Sequence, residues 1–254
     1  MTWSLLVIAT AGIASMKAAV ERGDLDEAAR QGVLAGPVLV EQALASPDRA
    51  TQLGAIAAAP AVEDRAELLD ALAKVASGPD RRTAIPAAHA ARAIARELSK
   101  RELPDDLAAE DLIGWRTTWA ALAADRTRWI GLRVLALDTA SALAADGAGL
   151  PLATALADPD PALRRAAIAN VPMPVPVDQR AALAKVVVSD TDVQVALAAG
   201  SVLCTDLAVD PAQPILDVLG EPGLARLRTA VTAVEASKAA RAEIKRCLTA
   251  ARGR

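Results

Sequence analysis

Few residues in this sequence carry reactive or recognition chemistry, and they fall into small, separate groups. His89 is the only histidine, so neither a pair of histidine ligands nor a His-rich metal centre can form. A histidine-based triad would need a nucleophile that no motif marks. His89 stands among alanines in a helical stretch and is read as a surface or partly buried side chain without a catalytic role. Arg92, Arg96 and Lys100 recur at four-residue steps and so form a basic stripe on one helix, which suits an acidic partner or, more plainly, solvent. Trp115 and Trp119 lie one helical turn apart and Trp129 opens the next helix, so the three rings can meet between two helices. They serve there either as core filling or as an aromatic anchor for a partner. Cys204 and Cys247 are too few for a disulfide scaffold and lack the paired spacing of a zinc site; one bridge and two buried thiols both remain open. No glycine-rich phosphate loop of the G-x-G-x-x-G or G-x-x-x-x-G-K-S/T type occurs. Neither a cofactor nor a metal is expected.

Composition narrows the elements that must hold these residues. About a quarter of the 254 residues are Ala, and there is no Phe or Tyr, so the core must be small-grained and closely packed. Base-stacking platforms are scarce for the same reason. Ala and Leu favour helix, whereas strands want β-branched and aromatic residues. The expectation is an all-α protein. With 28 basic against 31 acidic residues and a formal net charge of -3, no global field draws in a polyanion. Nucleic acid is therefore not the expected partner.

The segment from Trp3 to Ser15 is apolar and uncharged. At about 13 residues it falls short of the roughly 20 that span a bilayer as a helix, so no transmembrane anchor is expected. Residues 1–15 read either as a signal peptide, with Gly12-Ile13-Ala14 as the small residues of a cleavage site, or as a first helix that caps the domain formed by residues 16–254. The signal-peptide reading places the protein in the periplasm or outside the cell; the other leaves it in the cytoplasm.

Internal repetition organises the rest. Val40 to Pro60 aligns without a gap on Leu152 to Pro172, and ten of the 21 positions are identical, among them Leu44 with Leu156, Pro47 with Pro159, Asp48 with Asp160 and Ile56 with Ile168. Related junctions end in Asp80 and Asp192, so Asp48 to Asp80 and Asp160 to Asp192 are both 32 residues. At each junction a helix ends and an Asp takes the N-cap of the next, where its carboxylate accepts orphan backbone N–H groups and favours the helix dipole. Pro161 suits the first helical position because no N–H is needed there. Helix pairs are expected at about 37–59, 62–101, 109–145, 149–171, 178–208 and 211–234, after a leading region at 16–34 and before a last helix at 237–251. Pro86 predicts a kink or a restart near Thr83. The acids Asp105, Asp106, Glu110 and Asp111 should open the helix after the basic stripe. Val171 to Val177, rich in proline, reads as a stiff connector.

Leu152 to Pro172 resembles the HEAT-repeat consensus: a leucine-bearing helix runs into Asp158-Pro159-Asp160-Pro161, then Leu163, Arg164, Arg165 and an Ala-rich second helix. Val40 to Pro60 shares the pattern more loosely. The resemblance implies a right-handed α–α solenoid of about six helix pairs with terminal capping helices, and a non-enzymatic scaffold that holds a protein or peptide partner. HEAT-like families also include alkylpurine-DNA glycosylases, bilin lyases and a di-iron hydroxylase. The hydroxylase needs several His-Glu pairs, which one histidine cannot supply. For a glycosylase only the Trp115 to Trp129 region and Asp125 offer candidates, and the charge balance opposes it. A purely structural cell-envelope role is the remaining alternative.

Overall fold

The computed structural model describes residues 2–100, 109–144, 152–209, 215–233 and 238–250. Among them every regular element is helical, and no helix is long and apolar enough to cross a membrane. The chain divides into two compact units, Met1–Leu150 and Pro151–Arg254.

The first unit holds α1 (Thr2–Glu21), α2 (Leu25–Ala35), α3 (Pro37–Leu44), α4 (Arg49–Ala58), α5 (Leu68–Ala76), α6 (Arg81–Leu98), α7 (Ala109–Ala124) and α8 (Ile130–Ala142). Consecutive helices pair, and the pairs are joined through two rows. The first helices α3, α5 and α7 follow one another in one row, while the second helices α4, α6 and α8 pack in the other. Both α1 and α2 lie against α4. The helix over Trp3–Ser15 does not stop there: α1 runs unbroken to Glu21, and Met16 and Ala19 on it are fully buried. The leading region is thus two helices, separated by Asp24, whose carboxylate caps α2 by accepting the Glu27 N–H at 2.9 Å. Similarly, α6 continues through Pro86 without a restart. Proline in the second turn removes one bond, to the carbonyl of Arg82, and Arg82 is exposed, so water can take that acceptor.

Small residues set how close these helices come. A Cβ added at Gly32 on α2 would stand 2.2 Å from the Ala58 Cβ on α4 and 3.0 Å from the Met16 sulfur. Neither Cβ can rotate away, so the helices would have to separate. Gly32→Ala is expected to destabilise the protein by about 1–3 kcal/mol despite alanine's better helix propensity. Gly114, in the middle of α7, faces open space, and Gly114→Ala should instead stabilise by up to about 1 kcal/mol. Urea unfolding of both variants checks the pair of signs; two effects of the same sign would refute the packing argument.

The second unit holds α9 (Leu152–Leu156), α10 (Pro161–Ala169), α11 (Val177–Ser189), α12 (Val193–Val209), α13 (Ile215–Ala233) and α14 (Lys238–Ala250). Here α12 packs on α10 and α14, and α13 on α11 and α12. This corrects the sequence-based pairing at the C-terminal end. Residues 211–234 are not a self-contained pair with a lone helix after them: the backbone breaks at Gly220, which sits at φ 62°, where glycine alone is unstrained, and Pro222 restarts the helix. The longer part of α13 is therefore the first member of a pair whose second is α14. The segment between α10 and α11 serves as a connector, with Val171 and Val175 buried. The four Asp junctions cap as expected. Asp48 accepts the Thr51 N–H at 2.9 Å, Asp80 the Arg82 N–H at 2.9 Å, Asp160 the Ala162 N–H at 2.8 Å and Asp192 the Gln194 N–H at 2.8 Å.

Candidate partner-binding surface

Several of the arginines hold turns together and so are committed within the fold. In the first unit Arg128 donates to the Ser77 carbonyl at 2.6 Å and to Asp125 at 2.9 Å, tying the α7–α8 turn to the end of α5. Arg133, 5% exposed, donates to the Ala123 carbonyl at 2.9 Å. In the second unit Arg164 reaches the carbonyls of Asp158 and Pro159 at 2.8 and 2.9 Å, and makes two bonds to the Asp190 carboxylate at 2.8 Å each. Arg226 donates to the backbone carbonyl of the same Asp190. The turn thus held is itself built by side chains two residues before each cap: Asp158 accepts the Asp160 N–H at 2.9 Å and Asp190 the Asp192 N–H at 2.8 Å. Ser46 does the same for Asp48 at 3.1 Å. The sequence signal for this was an Asp or Ser two positions ahead of the capping Asp, visible once the repeats are aligned.

The basic stripe is brought to the surface but not left bare. Arg92 on α6 donates to Asp138 on α8 at 3.1 Å, and Arg96 lies 3.8 Å from the same carboxylate. Their side chains are 29% and 55% exposed, against 15% for Asp138. Lys100 is spent elsewhere, on Glu97 at 2.9 Å. His89 is exposed one turn before Arg92, and partial burial together with the Arg92 charge holds its pKa below the usual value. Nothing local in the sequence marked Asp138, which is 46 residues from Arg92.

The tryptophans divide. Trp119 is fully buried and Trp115 is 7% exposed, so both fill the core beneath α7 and neither presents a ring to a partner. Trp129 is half-buried at the start of α8, with the Arg81 guanidinium 5.8 Å from its ring centre. Asp125 faces inward to its own turn, accepting from Thr127 Oγ1 at 2.7 Å and the Thr127 N–H at 3.0 Å. Those bonds and Arg128 lower its pKa to about 2, so it is a turn-holding carboxylate rather than a proton carrier at neutral pH. Asp105 and Asp106 lie outside the described residues, while Glu110 and Asp111 sit in the first turn of α7 as expected. Cys204 and Cys247 form a disulfide between α12 and α14, with Cα atoms 5.6 Å apart.

Two shallow grooves lie along the row of first helices. One, of about 430 Å³, runs between α3 and α5 past Glu41, Gln42, Ala45 and Lys74. The other, of about 480 Å³, lies between the end of α5 and α7 beside Ser77, Thr117, Thr118 and Asp125. Among the described residues no three His, Cys, Asp or Glu side chains converge as a metal would require. What the fold and these surfaces define, among the described residues, is an all-helical protein of consecutive helix pairs, with several arginines committed to turns and Arg92 and Arg96 gathered at Asp138. No protein-family model matches the sequence, and no curated protein is significantly similar to it.

Proposed function

We propose that this chain is a non-enzymatic helical-repeat scaffold, a right-handed α–α solenoid of the HEAT kind, which holds a protein or peptide partner along its helix rows. The observation that carries this reading is the double row within the first unit. Each new pair packs on the one before, so α3, α5 and α7 form one continuous surface and α4, α6 and α8 another. Rows of this sort present long surfaces of repeated spacing, which suit an extended partner better than a small substrate. The polar side chains support a binding role: the buried Arg133, Arg164 and Asp206 are occupied in holding turns and the connector. An oxidising compartment is part of the same proposal. A formed disulfide persists in the periplasm or outside the cell and is rare in the cytosol, and the uncharged apolar start of α1 suits export.

The test is site-specific photo-cross-linking in the native cell. A photoreactive residue replacing exposed Ala93 on α6 should give a discrete protein adduct. No adduct from Ala93, Gln42 or Thr118 overturns the proposal.

A further inference from the structure

We infer that the outer face of α6 and α8 seats a carboxylate-bearing segment of a partner chain on Arg92 and Arg96; this rests on the scaffold reading and names the chemistry of its partner. Three observations carry it. First, charge is segregated between the two rows of the first unit. The helices α3, α5 and α7 carry Glu41, Asp70, Glu110 and Asp111 against Lys74 and Arg116, whereas α4, α6 and α8 carry six arginines against Glu97 and Asp138. An acidic segment is repelled by the first row and drawn to the second.

Second, the cation pair is left with surplus charge. The Asp138 carboxylate holds Arg92 by a hydrogen bond at 3.1 Å and lies 3.8 Å from Arg96, so one negative charge faces two positive ones. A guanidinium offers five N–H donors in a planar fork that matches a carboxylate, so donors remain after Asp138 is satisfied. Arg96 is more than half exposed and needs no rearrangement to be reached. Arg128 and Arg133 show the contrast, being spent on backbone carbonyls of neighbouring turns.

Third, the floor around the pair is low. Ala93 is exposed between the two arginines, and Gly131 and Val134 precede Asp138 on the same stripe of α8. Small side chains let a partner's backbone approach while the arginines rise on either side of it.

The probe is a fluorescein-labelled alternating Glu/Ala peptide, titrated against the full chain at low and physiological salt and compared with Gln/Ala and Lys/Ala peptides of equal length. The Glu peptide is expected to bind and to weaken with salt, and the other two to bind at least about tenfold more weakly. Arg92→Gln with Arg96→Gln should reduce binding by about tenfold or more, while Arg165→Gln, exposed on α10 of the second unit, leaves it unchanged. Asp138→Asn removes the competing carboxylate and should tighten binding, a gain that a misfolded variant cannot produce. Equal binding of the Gln peptide, an unaffected double variant, or preferential binding of duplex DNA at these arginines would each overturn the inference. If the Glu peptide fails while Ala93 still cross-links a partner, the scaffold survives and its acidic partner does not; failure of both removes both.

Discussion

Replacing Cys204 and Cys247 together by alanine is expected to destabilise the second unit by about 4 kcal/mol. The bridge spans a sequence separation of 43 residues, and closing a loop of that length removes a large share of the disorder open to the unfolded chain. What else holds α14 is modest: of its described side chains only Ile244 and Leu248 are buried hydrophobics. An isolated helix of 13 residues is marginal in water, so α14 depends on being tied to α12. For a unit of this size the loss corresponds to a drop in Tm on the order of 15–25 °C. Thermal unfolding followed with and without a dithiol reductant, and in the double alanine variant, measures it. A change under 1 kcal/mol would mean that packing alone fixes α14.

The second large effect concerns Asp206. It is 2% exposed on α12 and accepts from Arg180 Nε on α11 at 2.7 Å and from the Val175 N–H of the connector at 2.8 Å. One carboxylate therefore joins two helices and the segment leading into them. Asp206→Ala leaves a guanidinium that is 7% exposed and a buried backbone N–H without that acceptor, and is expected to cost about 3–5 kcal/mol. Asp206→Asn keeps an oxygen for one of the donors and should cost less. Combining Asp206→Leu with Arg180→Met removes both charges at once and should recover much of the loss, because an apolar pair owes no desolvation. Denaturant unfolding of Asp206→Leu, Arg180→Met and the pair forms the cycle; additive losses would show that the two side chains do not act as a unit. By contrast the Lys17–Asp48 pair, 3.3 Å apart with both side chains about 40% exposed, is screened by solvent and adds little, and its Asp matters more as a helix cap.

The repeat alignment located the caps because capping is a local event. Asp48, Asp80, Asp160 and Asp192 each bond a backbone N–H two or three residues on, so the motif and its consequence lie in the same few residues. The stripe Arg92, Arg96 was legible for the same reason, since four-residue spacing fixes one helix face. Its partner Asp138 was not, because nothing near either arginine says which later helix will lie alongside. Lys100 fits the periodicity equally well yet is paired to Glu97, a distinction that spacing cannot make.

Pairing at the C-terminal end shows where local reading stopped. Reading 211–234 as one helix pair with a last helix at 237–251 after it put α14 outside the paired stack and left both a Cys204–Cys247 bridge and two buried thiols open. Gly220 and Pro222 were signals of a break that shortens α13's first part to a single turn. Once α14 becomes the second member of its pair, it packs directly on α12 and the two sulfurs meet.

The amino-acid order by itself determined that the chain is helical, roughly where the helix pairs between residues 37 and 208 lie, and which aspartates cap four of the helices, since these follow from interactions within about one helical turn. Only the tertiary structure decided that Trp115 and Trp119 are core while Trp129 reaches the surface, that Arg164 and Arg180 are clasps for carboxylates 26 residues away, and that Arg92 and Arg96 share Asp138. Those outcomes depend on which helix face meets which neighbour, and that is set by the summed burial of many small side chains rather than by any one residue and its nearest companions.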